Sequence, residues 1–130
     1  MARPRPLLAC LAVLLALAAS NVSAAACPPE QRLSGTLTPG SDTVLSVTTT
    51  VKGDTYFIFM PKYCSDVDGL QTVTMTVAGG SMTGDCGLGL GLGNANAGTY
   101  TVRLHGDYLD VDGLGALPFQ LVVYQSRCSA

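Results

Sequence analysis

From Ala97 to Leu104 the chain reads Ala-Gly-Thr-Tyr-Thr-Val-Arg-Leu. In an extended chain Tyr100, Val102 and Leu104 fall on one side, and Thr99, Thr101, Arg103 and His105 on the other. Alternation of apolar and polar residues with period two marks a strand with one buried face. The pattern recurs over Leu70–Ala78, where Val73, Met75 and Val77 alternate with Thr72, Thr74 and Thr76. Leu33 and Leu37 share a face in Arg32–Leu37, as do Leu45, Val47 and Val51 in Thr43–Val51. Thr55–Met60 is apolar on both faces, Tyr56, Ile58 and Met60 against Phe57 and Phe59. That predicts a central strand covered on both sides. Gly87–Gly93 alternates Gly and Leu. As a strand it packs Leu88, Leu90 and Leu92 inward and leaves a bare face that admits a backbone or an aromatic ring. Leu117–Gln125 closes the series, with Phe119, Leu121 and Val123 opposing Val122 and Tyr124.

Turn residues separate these segments, at Pro39-Gly40-Ser41-Asp42, Lys52-Gly53-Asp54, Gly79-Gly80-Ser81 and Asn96-Ala97-Gly98. Seven short strands in about a hundred residues predict an all-β fold, a small antiparallel, jelly-roll-like β-sandwich. Glu, Lys and Gln are scarce in this region while Thr, Val, Gly and Leu dominate, which favours strand over helix.

The first residues read differently. Arg3 and Arg5 precede an apolar run, Leu7–Ala19, and small residues follow at Val22-Ser23-Ala24 and Ala24-Ala25-Ala26. This is the pattern of a secretory signal peptide over residues 1–25, leaving one domain over 26–130 and an extracellular destination. The run is short for a membrane span, and no later segment is long and apolar enough for one. The sequon Asn21-Val22-Ser23 falls within the signal.

Cys10 also leaves with the signal, so four cysteines remain: Cys27, Cys64, Cys86 and Cys128. An even count in a small secreted chain predicts two disulfides. Three pairings are open, and the expected one is Cys27–Cys128, tying the two ends, with Cys64–Cys86 bridging the middle. Ala24-Ala25-Ala26-Cys27 also resembles a bacterial lipobox, but lipidation of Cys27 would leave one thiol without a partner. The spacing of the cysteines and the solitary His105 do not suit a zinc site.

Without the signal, Arg32, Lys52, Lys62, Arg103 and Arg127 stand against nine acids, a formal charge of −4. There is no basic stripe of the kind that binds nucleic acid. Eight of those nine acids are Asp, a turn residue.

The last third carries Asp85, Leu88-Gly89-Leu90, then Ala97-Gly98-Thr99-Tyr100-Thr101-Val102-Arg103 and Pro118-Phe119-Gln120-Leu121-Val122-Val123. Upstream stand Ser34-Gly35-Thr36-Leu37 and Gly53-Asp54-Thr55-Tyr56-Phe57. Together these resemble the bacterial pre-peptidase C-terminal domain. Gly87 stands where that family has a second Asp, and Leu90 where it has an aromatic residue. The resemblance implies a secreted jelly-roll-like module that assists an exported enzyme or binds extracellular ligands.

One string repeats. Asp66-Val67-Asp68-Gly69-Leu70 returns as Asp110-Val111-Asp112-Gly113-Leu114. Two carboxylates and a glycine bend are parts of a Ca²⁺ loop, and Asp66, Asp68, Asp107, Asp110 and Asp112 are the candidate ligands. Asp-Gly is also ordinary turn chemistry, and the third ligand position and distant Glu of an EF-hand are missing. Tyr63 and Tyr108 flank the two strings, and tyrosine beside carboxylate suits contact with protein or sugar.

Catalytic signals are sparse. His105 with Asp107 offers a general-base pair, and Asp110 with Asp112 a glycosidase pair, but no nucleophile elbow accompanies them. Gly87–Gly93 holds no phosphate-loop Lys-Ser/Thr. The expected function is therefore a secreted, non-catalytic binding or accessory module. It contacts an extracellular protein or glycan through Tyr63, Asp66, Asp68, Tyr108, Asp110 and Asp112, with Ca²⁺ as the one conceivable cofactor. The alternatives are a secreted inhibitor or effector acting through Gly87–Asn96, and a small hydrolase using His105.

Overall fold

The computed structural model describes residues 26–64, 71–108 and 115–129. These form eight strands: β1 (Gln31–Leu37), β2 (Asp42–Thr49), β3 (Lys52–Pro61), β4 (Gln71–Val77), β5 (Gly80–Gly84), β6 (Leu88–Ala95), β7 (Gly98–Tyr108) and β8 (Leu117–Ser129). No helix occurs among the described residues. The strands make two four-stranded antiparallel sheets, β1-β8-β3-β6 and β2-β7-β4-β5. Only β4 and β5 are both consecutive and paired; every other connection crosses between layers. This is the strand order of a jelly roll, as expected.

The core is the space between the inner faces. Leu37, Phe57, Phe59, Leu121 and Val123 from one sheet are sealed against Val47, Val73, Met75, Val77, Val102 and Leu104 from the other. Phe59 packs on Phe119 at 5.2 Å between ring centroids, and Phe57 meets Tyr100 edge-on at 6.1 Å. Such pairs add about 0.5–1.5 kcal/mol beyond area burial. In β7, Val102 and Leu104 are fully buried while Thr101 and Arg103 are exposed, so the alternation there is that of the sequence.

Two expectations need correction. The first is the count, eight strands rather than seven. The turn is not Gly79-Gly80-Ser81 but Ala78-Gly79, both with positive φ (49° and 81°). Two left-handed central residues make the tight hairpin that matches strand twist. Val77 then pairs with Gly80 and β5 runs back along β4. The strand was illegible because its residues, Gly-Ser-Met-Thr-Gly, bury too little to alternate.

The second is β3. It is central in its sheet, between β8 and β6, but it is covered on one side only. Phe57 and Phe59 are fully buried, whereas Tyr56 and Ile58 are half-buried and Met60 is 49% exposed. Nothing among the described residues covers that outer face. Its apolar side chains cover one another instead. Tyr56 stacks on Tyr124 at 4.8 Å and lies against bare Gly91, and Ile58 lies against bare Gly89. The glycine face of β6 therefore does admit an aromatic ring.

Both neighbours of β3 bulge at one level. β8 and β6 each carry one extra residue opposite Gly53-Asp54, at Arg127 (φ 52°) and Asn94 (φ 48°). Asp54 Oδ1 accepts the Asn94 N–H at 2.7 Å, and Arg127 Nε stands 3.9 Å from Asp54 Oδ2. A bulge leaves a backbone group unpaired, and here the carboxylate takes it up.

Both disulfides pair as expected. Cys27–Cys128 and Cys64–Cys86 each have a Cα–Cα distance of 5.2 Å. Cys27 is thus held by a sulfur partner.

Candidate functional site at the long-loop end

The two ends of the sandwich differ. At one end β2–β3, β4–β5 and β6–β7 are joined by residue pairs, Thr50-Val51, Ala78-Gly79 and Asn96-Ala97. At the other lie the connections 38–41, 62–70, 85–87 and 109–116. Long connections on a rigid scaffold are where binding residues concentrate.

Lys62 and Tyr63 follow directly from β3. The Lys62 N–H donates to the Pro118 carbonyl at 2.8 Å, which fixes this exit beside the start of β8. Tyr63 is 46% exposed, with Lys62 Nζ 5.4 Å from its ring centroid. Cys64–Cys86 then ties the segment to the approach to β6. Outside β3, an open depression of about 720 Å³ is lined by Thr36, Met60, Lys62, Pro118 and Gln120. A shallower, almost wholly apolar one of about 430 Å³ adjoins it over Ile58, Gly87 and Gly89.

Asp66, Asp68, Asp110 and Asp112 lie outside the described residues. The strands that flank them do not. Gln71, which opens β4, pairs with Tyr108, which ends β7. Asp66-Val67-Asp68-Gly69 runs into the first strand and Asp110-Val111-Asp112-Gly113 leaves the second. The strand ends from which the two strings continue are thus adjacent, at the end of the sandwich that carries Tyr63. Asp107 is exposed, opposite Thr72. Among the described residues no three His, Cys, Asp or Glu side chains lie close enough to hold a metal ion.

His105 pairs with a different acid from the one its sequence neighbourhood offered. Its Nδ1 lies 2.7 Å from Asp42 Oδ1, and Arg103 Nη1 donates to Asp42 Oδ2 at 2.9 Å. Asp42 opens β2 and sits opposite His105 in register, although 63 residues separate them. No local pattern announced this; Asp42 read as a turn residue, and only the β2–β7 pairing reveals it. The Arg103 guanidinium, and after it His105, hold the Asp42 carboxyl below the usual range. Thr74, the cross-strand neighbour of His105 on β4, shares a hydrogen bond with Thr83 at 2.9 Å. The triad Asp42–His105–Arg103 lies on an open sheet face and is only partly shielded from water.

Among the described residues no helix is long and apolar enough to cross a membrane. The two disulfides fit a chain that folds in an oxidising compartment. No protein-family model matches the chain, and no curated protein matches it either.

Proposed function

We propose that this is a secreted, non-catalytic binding module that engages an extracellular protein or glycan through its long-loop end, with Ca²⁺ ordering the two Asp-Val-Asp-Gly strings. The observation that carries the reading is the Gln71–Tyr108 pairing, which makes neighbours of the two strand ends from which the strings continue. Paired strand residues are roughly 4.5–5.5 Å apart at Cα. Asp68 stands three residues before Gln71 and Asp110 two after Tyr108 in the chain, a spacing that supports one hard cation shared between the two strings. Tyr63 and the Met60–Lys62 depression lie at the same end, and exposed Tyr and Met side chains suit a recognition surface. The resemblance to the pre-peptidase C-terminal domain supplies the same expectation, an accessory module working outside the cell.

Calorimetry of the mature, disulfide-bonded chain with and without Ca²⁺ tests the cation. The melting temperature is expected to rise with Ca²⁺, and the rise to vanish in D68N/D110N. An unchanged melting temperature in wild type removes calcium from the proposal. Binding is tested by retention of secreted proteins and of glycans on the immobilised domain. Retention is expected to fall at least tenfold on Tyr63→Ala, roughly 1.4 kcal/mol of binding free energy. Undiminished retention by that variant moves the site away from this end.

A further inference from the structure

The two long sides of the sandwich are finished differently. Along the β1/β2 side, side chains stitch the layers together. Gln31 Nε2 donates to the Thr48 carbonyl at 2.9 Å and Thr43 Oγ1 to the Thr36 carbonyl at 3.2 Å, while Arg32 and Glu30 form an ion pair at the rim. Charges and cross-layer bonds of this kind blunt a sheet edge. Along the β5/β6 side no such bond occurs among the described residues. From Leu88 to Leu92, β6 carries no charge and no proline, and β3 is its only strand partner among the described residues. Among them, one side of its backbone is therefore open to pairing.

The edge is also self-complementary. Gly87-Leu-Gly-Leu-Gly-Leu-Gly93 reads the same in both directions about Leu90. An antiparallel pair of two such strands about a two-fold axis at Leu90 sets Leu88 opposite Leu92, Gly89 opposite Gly91 and Gly87 opposite Gly93. Every leucine then stays on the inner face and every glycine on the outer, with no register conflict. A closed dimer requires one patch that fits itself. An unrelated peptide would have to supply this alternation; a second copy has it already.

One further feature fits that occupant. Met82 is on the inward row of β5, with Gly80 and Gly84, yet it is 46% exposed because it opens onto this side. A second copy set against the seam covers it.

We infer that β6 is a homodimerisation edge, joining two copies through β6–β6 pairing into one continuous eight-stranded sheet. The strands of that sheet run β1-β8-β3-β6 and then the same four in reverse in the partner. The outer trough over Gly89 and Gly91 is doubled in width, with a Tyr56–Ile58 row on each bank.

The test is sedimentation equilibrium of the mature, oxidised chain, with amide exchange read at low and high concentration. A dimer is expected, with Leu88–Leu92 amides gaining protection at high concentration and β1 amides unchanged. Gly87 and Gly93 both have room for a side chain, the nearest atom to an added Cβ being Phe59 O at 3.5 Å from Gly87. G87D/G93D sets like charges opposite each other twice and is expected to weaken dimerisation roughly a hundredfold. Mixing it with G87K/G93K is expected to restore a heterodimer. Should the paired variants fail to fold, Met82→Asp probes the seam at an exposed site and is expected to weaken the dimer while remaining folded. A monomer at all soluble concentrations, a dimer indifferent to folded Asp variants, or protection gained elsewhere than β6 overturns the inference.

Discussion

Gly53 shows how little freedom one position can have. A Cβ there would stand 2.9 Å from the Ser126 carbonyl oxygen and 3.0 Å from Cys128 Sγ. Neither belongs to a flexible side chain end, since the first is backbone and the second is locked in a disulfide. Gly53→Ala is therefore expected to cost about 1–3 kcal/mol, measured by denaturant unfolding, the range for forcing extra volume into a packed site. Gly93→Ala, with nothing within 4 Å, serves as the control. Asp42 supplies a prediction in pH. Its folded pKa is lowered by hydrogen bonds from Arg103 and then His105. A depressed acid stabilises the fold above its unfolded value near 3.8 and loses that contribution as pH falls through the folded value. Asp42→Asn should thus be less stable than wild type at pH 5, and the two melting temperatures should converge in stronger acid. The gap will be small, since the group lies on an exposed sheet face where solvent screens its partners.

At the scale of the element, β3 separates burial from hydrophobicity. Its two faces are about equally apolar in sequence, yet of its apolar side chains only Phe57 and Phe59 face the other sheet. Phe57→Ala is expected to cost about 3–5 kcal/mol in unfolding free energy, as for large cavities in closed cores. Met60→Ala, on the open face, is expected to stay within about 0.5 kcal/mol. Tyr56 and Tyr124 fall between, and a double-mutant cycle should return a coupling of about 0.5–1.5 kcal/mol for their stacking. β5 is the converse case. It is a strand because a left-handed Ala78-Gly79 turn returns the chain onto β4, and its own residues carry almost no strand signal.

For the whole molecule, the disulfides divide the chain very unequally. Cys27–Cys128 spans 101 residues and Cys64–Cys86 spans 22. In the chain-entropy account the first stabilises by about 4–5 kcal/mol and the second by about 3 kcal/mol. C27S/C128S should therefore lower unfolding free energy more than C64S/C86S does. The second pair acts where the long connections gather, so its removal is expected to loosen Tyr63 first. Faster amide exchange at residues 62–64, with β1 unaffected, checks this.

Period-two alternation, turn residues and an even cysteine count suffice to make this chain an all-β sandwich with two disulfides, because each follows from local chemistry or parity; that the bridges are Cys27–Cys128 and Cys64–Cys86 rather than either other pairing is decided by the fold. Which apolar face meets the core is another matter. Tyr56, Ile58 and Met60 look as buried in sequence as Phe57 and Phe59, and only the position of the opposite sheet separates them. The same holds for the pairings that bring Asp42 to His105 and Gln71 to Tyr108. Residues so far apart in the chain meet through strand register and sheet order, which are set by burying both inner faces at once and leave no trace in any short window of residues.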